Sequence, residues 1–216
     1  MITPAEIDQV LALAGLRLFP GTGFTGGATP ASNKPILAQT MPFHLCSGNN
    51  AGAGTGVMNL TAIWLLQGMV VTNINFVTGG TAESGGSHCL FGLYDDGRGT
   101  ATANQLKLLA TSADNTGATF MAANTNMGVV MTSPYTCTYT GIYYVALVTV
   151  GTNATMVGTV KGGTAATNIN FPVTAGGVAN TGLFWAASAG SGITTALPDP
   201  SGALTSVALS MYAYVS

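Results

Sequence analysis

"GSHCLFGLYDDGRGT", residues 86–100, places a histidine, a cysteine and two adjacent aspartates within nine residues of a chain that has few other ionisable groups. It reads either as a site or as a strand that ends in a turn. Alternate side chains of a strand face opposite ways. His88, Leu90, Gly92 and Tyr94 then share one face, and Cys89, Phe91, Leu93 and Asp95 the other. His88 and Cys89 point apart, so without a bulge they form no Cys–His dyad and share no metal. Asp95-Asp96-Gly97-Arg98-Gly99 has the chemistry of a tight corner, in which Asp95 accepts backbone N–H bonds. A calcium loop needs oxygen ligands at alternate positions and a distant acidic closer, which "DDGRGTATANQ" lacks. The stretch is read as strand, turn, strand.

From Val57 onward the same pattern repeats. Strands are predicted near 57–66, 70–78, 87–95, 105–112, 127–132, 141–150, 155–161 and 204–215, with further ones near 167–173 and 182–187. In 204–215, Val207, Leu209, Met211, Ala213 and Val215 take one face, and Ala208, Ser210, Tyr212 and Tyr214 the other. The stretch 141–150 is apolar or aromatic on both faces, so it belongs at the centre of a sheet or at a subunit contact. "TNINF" occurs at 72–76 and again at 167–171, read as Ile and Phe inward and Asn outward. Many short strands with Gly-rich turns imply an all-β fold, a jelly-roll-like antiparallel β-sandwich over residues 57–216.

Upstream, residues 3–14 are predicted to form a short α-helix within an N-terminal docking segment, residues 1–16. Thr3 is an N-cap, Pro4 suits the first helical position, Glu6 completes a capping box, and Gly15 ends the helix. Ile7, Val10, Leu11 and Ala14 make one apolar stripe. About three turns is too short to be stable alone, so the stripe docks on its own chain, on a sister chain or on another protein. Residues 17–56 read as an extended Gly/Pro-rich arm, with 36–46 extended and 47–56 flexible.

Composition narrows the function. Charged residues are 6%, against about 25% in an ordinary domain. Hydrophobic residues are 47% and the net charge is −2. Arg17, Lys34, Arg98, Lys107 and Lys161 form no basic cluster, which excludes nucleic acid as a partner. A surface this poor in charge has little protection against association, and cover by neighbouring subunits is expected; a lone monomer with a Thr-rich surface is the alternative. The apolar runs are about half of the roughly 20 residues needed to span a membrane, so no insertion is expected. The N-terminus lacks the positive start of a signal peptide. Cys46, Cys89 and Cys137 are odd in number and show no CxxC, and are read as reduced thiols of a protein made in a cytoplasm.

Motifs for chemistry fail one by one. His44 and Cys46 with His88 or Cys89 lack the repeated close spacing of structural zinc. No G-x-S-x-G nucleophile elbow occurs, and Gly-rich "GNNAGAGTG" lacks the Lys-Ser/Thr of a phosphate loop. Glu83 with Asp95 or Asp96 is the one acid pair worth testing for glycoside hydrolysis. Trp64, Tyr94, Tyr135, Tyr143, Trp185, Tyr212 and Tyr214 are either core anchors or parts of a sugar-stacking platform. Of these, Tyr135 and Trp185 are the candidate ligand contacts. No catalytic residue, cofactor or metal is expected.

"VTNINFVTGGTA" at 71–82, "FGLYD" at 91–95, "LLATSAD" at 108–114 and "SPYTCTYTGIYYVALV" at 133–148 together resemble a β-sandwich domain of structural proteins of tailed bacteriophages. The similarity covers roughly residues 57–160, with 204–215 in keeping. The resemblance implies a non-enzymatic virion component, a minor tail, fibre or head-decoration protein that forms a homotrimer of jelly-roll-like domains. Its partners would be itself and other capsid or tail proteins, met through Ile7, Val10, Leu11 and Ala14. A host-surface glycan, bound by a receptor-binding module on the tail or fibre, is the alternative partner.

Overall fold

The computed structural model describes residues 36–43, 46–51, 54–95, 105–115, 122–152, 155–160, 186–206 and 209–216. The strands, in chain order, are β1 (Ala38–Gln39), β2 (Ser47–Ala51), β3 (Met58–Leu65), β4 (Val70–Val77), β5 (Ser84–Tyr94), β6 (Leu108–Thr111), β7 (Asn126–Thr136), β8 (Gly141–Thr152), β9 (Thr155–Val160), β10 (Ala186–Ala189), β11 (Leu204–Ser206), β12 (Leu209–Met211) and β13 (Ala213–Val215). They form a six-stranded sheet in the order β11-β10-β3-β8-β5-β6, a four-stranded sheet β1-β13-β4-β7 and a three-stranded sheet β12-β9-β2. The paired strands run antiparallel. The described chain is all-β, without α-helix.

β8 lies between β3 and β5, as its two apolar faces require. Tyr143, Val145 and Leu147 point into the main core, where they meet Ile74 and Phe76 of β4 and Ala213 and Val215 of β13. The six- and four-stranded sheets thus face each other across one core in a sandwich-like arrangement. Phe76 and Phe91 bridge it with ring centroids 5.4 Å apart. Tyr144, Ala146 and Val148 face the other way and join Met58, Leu60, Ile193 and Leu197 in a second cluster. That outer layer is the stretch between β10 and β11, folded back over the sheet. It is pinned by Tyr94 Oη–H donating to Pro198 O at 2.8 Å and by Leu106, whose N–H donates to Ser201 Oγ at 2.9 Å and whose carbonyl accepts Ser201 N–H at 2.8 Å.

The alternation read in residues 88–95 holds. Cys89, Phe91 and Leu93 enter the main core while Leu90 and Tyr94 enter the outer cluster. β5 begins earlier than the pattern indicated, at Ser84, because a register shift between Ser84 and His88 lets the Gly-rich start pair with β8. β7 runs on to Thr136, past Pro134, which an edge strand tolerates. β6 is shorter than expected.

Three further differences have local causes. The expected strand at 204–215 is three strands serving three sheets: β11 on β10, β12 on β9, and β13 between β1 and β4. Its parity is nonetheless right, with Met211, Ala213 and Val215 in the main core and Tyr212 and Tyr214 in a third cluster with Met41. Asn73 and Asn75, expected outward, are buried, because the outer face of β4 is also covered; Asn75 Nδ2–H reaches Tyr214 O at 3.5 Å. Ser47–Ala51, expected to be flexible, is β2: it pairs with β9, and Asn50 Nδ2 donates to Met156 O and Gly158 O, both at 3.2 Å. The sheets therefore include strands upstream of residue 57. The helix at 3–14, the arm at 17–35, His44, the corner at 96–100, the strand at 167–173 with the second "TNINF", and Trp185 lie outside the described residues.

Candidate functional site

One end of the sandwich gathers the turn between β3 and β4, the end of β5, the start of β6 and the turn between β7 and β8. The two turns are stitched together: Gly68 N–H donates to Cys137 O, Cys137 N–H to Met69 O, and Gln67 N–H to Thr140 Oγ1. Beside them lies a shallow groove of about 580 Å³ lined by Asp95, Lys107, Leu108, Leu109, Tyr135, Thr138 and Tyr139.

The tyrosines of the groove rest on a third. Tyr139 stacks on Tyr143 with ring centroids 4.5 Å apart and planes 12° from parallel, and Tyr135 meets Tyr143 edge-on at 6.3 Å. Tyr143 Oη–H donates to Tyr139 O at 3.0 Å, and Tyr139 Oη–H to Ile142 O at 3.1 Å. Burial pushes the Tyr143 phenol up to about 12. Tyr135 is half-buried, with its hydroxyl 3.5 Å from Thr138 Oγ1. The groove thus presents aromatic rings, hydroxyls and one exposed cation, Lys107.

Asp95 is not a reactive acid of this groove. It is buried, its Oδ1 accepts Lys107 N–H at 3.0 Å, and its own N–H donates to Lys107 O at 3.0 Å. Asp95 thus accepts a backbone N–H, from Lys107 across the strands; the corner expected at 96–100 lies outside the described residues. Asp199 Oδ1 similarly accepts Leu108 N–H at 3.1 Å, and Asp114 Oδ1 accepts Cys89 N–H at 3.2 Å. Every described aspartate thus satisfies a backbone donor along β5 and the short edge strand β6, where ladder pairing is incomplete. Glu83 and Asp95 lie off opposite ends of the 11-residue β5, about 35 Å apart at strand rise. As a pair they cannot flank a glycosidic bond, which needs carboxylates within about 10 Å.

His88 and Cys89 diverge as expected. His88 Nδ1 sits 2.5 Å from Asp114 Oδ2, while Cys89 is buried in the main core. Burial, reinforced by the charges of Glu83 and Asp114, pushes the Cys89 thiol far up; burial also raises Cys46 and Cys137. A thiol held protonated is a poor nucleophile. Among the described residues no group of three or more His, Cys, Asp or Glu side chains could hold a metal ion, and no helix is long and apolar enough to cross a membrane.

Of the candidate ligand contacts, Tyr135 lines the groove; Trp185 and the stripe Ile7, Val10, Leu11 and Ala14 lie outside the described residues. Tyr94, Tyr143, Tyr212 and Tyr214 are core or cluster anchors. Trp64 is exposed, on the outer face of the six-stranded sheet. Sequence reasoning missed Thr138, Tyr139 and Lys107. The available signal was the four-residue spacing of Tyr135, Tyr139 and Tyr143, which brings rings together only when a turn falls between them. Models of known protein families yield no match to the chain, and curated protein sequences yield none.

Proposed function

We propose that the chain is a non-enzymatic structural protein of a bacteriophage virion. It decorates or projects from the head or tail, assembles in the host cytoplasm as a homotrimer of jelly-roll-like domains, and is anchored to a capsid or tail protein through its N-terminal segment. The supporting observation is the use of charge. The described aspartates each hold a backbone N–H, leaving a surface of hydroxyls, amides and apolar groups that neighbouring copies would cover. The phage-like motifs supply the context: they fall on β4, β5, β6, β7 and β8 and on the turns that join them. Deleting residues 1–18 should leave a folded oligomer that no longer joins particles; unchanged incorporation would overturn the anchor.

A second reading rests on the groove. Tyr135, Tyr139, Thr138 and Lys107 form a platform for a host-surface glycan, making the chain a receptor-binding module as well. A glycan array on the purified protein checks this: saturable binding abolished by Tyr135→Ala supports it, and an array without binding removes it.

A further inference from the structure

Residues 190–202 leave the six-stranded sheet where the β10–β11 ladder ends, at Ala189 and Leu204. The two ends of this strap touch: a Cβ built on Gly202 would lie 2.8 Å from Gly190 N and 3.0 Å from Gly190 Cα. Gly190 and Gly192 have φ of 68° and 70°, a conformation that glycine reaches at no steric cost. Ile193, Leu197 and Ser201 recur every fourth residue and are buried, while Thr194, Thr195, Ala196, Asp199 and Pro200 between them are exposed. The strap is a compact loop with a closed neck, held on the sheet by those three side chains.

What the strap holds down is a wall of the groove. Lys107, Leu108 and Leu109 line that groove. Leu106 is buried in the outer cluster with Ile193 and Leu197, and Leu108 packs against the same cluster. Leu106 N–H donates to Ser201 Oγ, Leu106 O accepts Ser201 N–H, and Leu108 N–H donates to Asp199 Oδ1. The side chains meet as well. A Cβ built on Gly92 would strike Leu197 Cδ1 and lie 3.3 Å from Leu108 Cδ1, so the two leucines share the gap over that glycine. Lys107, between Leu106 and Leu108, is exposed, and its backbone N–H and O are taken by Asp95. The wall is therefore held by Asp95 on one side and by the strap on the other.

We propose that the strap is a latch for the groove: it opens as one unit while the sheets stay folded, and its opening frees the wall at residues 106–108. Its described attachments are two apolar side chains and hydrogen bonds to Gly56, Tyr94, Leu106 and Leu108, with no strand ladder of its own. Segments with so few buried apolar contacts open at a lower free energy than the strands beneath them. Those strands, β3, β8 and β5, keep their ladders and the main core on their other face without the strap. The neck glycines are the positions that absorb the change of backbone direction. A closed latch fixes Lys107 in the groove wall, and an open one releases it. The coupling stands whether or not a glycan fills the groove. Any ligand that needs Lys107 in place binds the closed latch better, and so stabilises it.

Residue-resolved hydrogen exchange on the full chain, in low urea, tests the latch. The N–H groups of Ile193, Ser201, Leu106 and Leu108 should share one opening free energy, below that of the β3–β8 ladder. Leu197→Ala should speed all four by about thirtyfold or more, the low end for emptying a buried leucine site. It should speed the Lys107 N–H with them and leave the β3–β8 ladder unchanged. Asp199→Ala changes an exposed side chain, so it serves even where Leu197→Ala fails to fold; it should speed the same set about tenfold. Asp199→Asn keeps a side-chain oxygen for Leu108 N–H and should restore slow exchange. Strap amides that open only together with the β3–β8 ladder would overturn the latch. Strap amides that speed up while Lys107 stays slow would overturn its hold on the groove. Neither readout involves a glycan or a particle, so this test fails separately from the glycan array and the incorporation test.

Discussion

At the scale of single residues, close approach and burial set the consequences. A Cβ on Gly158 would lie 2.3 Å from Ser210 O and 3.0 Å from Met211 Cα, both backbone atoms of the segment that pairs with β9. Gly158→Ala should therefore destabilise by about 1–3 kcal/mol, as overpacking does, seen as a lower urea midpoint. The tyrosines carry a pH signature. An unfolded chain's phenols ionise near 10, whereas burial raises Tyr143 and Tyr212 to about 12 and raises Tyr94 and Tyr214 as well. A neutral phenol held above its unfolded value contributes stability that is complete below about pH 10 and is lost as pH rises through 12. Alkaline titration followed at 295 nm should show tyrosine ionisation coinciding with unfolding, and Tyr143→Phe should shift that transition. A gradual ionisation near pH 10 with the fold intact would contradict the burial of these rings.

At the scale of elements, the pins around β6 are the sensitive points. Ser201 and Leu106 are both buried, and Ser201 Oγ accepts Leu106 N–H. Ser201→Ala leaves that donor unsatisfied, at a cost of about 1–3 kcal/mol. Hydrogen exchange should locate the loosening at Leu106 and in the stretch between β10 and β11. The alternation of residues 88–95, the two apolar faces of 141–150 and the parity of 209–215 were legible because side-chain period follows from backbone geometry alone. The division of 204–215 among three sheets was not, since partners rather than pattern decide where a strand changes sheet. β2 was hidden for a related reason: "SGNNA" carries no apolar alternation, and its place comes from pairing with β9 and from the Asn50 amide. In the candidate groove Tyr135 was legible as an aromatic in a resembling motif. Tyr139 and Lys107 were not, because strands distant in sequence bring them together.

At the scale of the whole molecule, two sheets share the main core and a folded-back stretch seals the outer face. Sequence indicated the all-β class from strand length and turn chemistry; it did not indicate that a loop would serve as a third layer. The order of assembly follows from β13, which lies between β1 and β4 rather than at an edge. Truncation after residue 208 removes β12 and β13, leaving β1 without its partner and stripping Met211, Ala213 and Val215 from the core. Such a chain should fail to give a cooperative thermal transition, whereas a cooperative one would show that β13 is dispensable. β4 emerges from the ribosome more than a hundred residues ahead of β13, the strand that completes its pairing, so its apolar side chains wait until that strand is made. In a crowded cell that interval is when a chaperone would find the chain, and when newly made copies would meet one another unfinished.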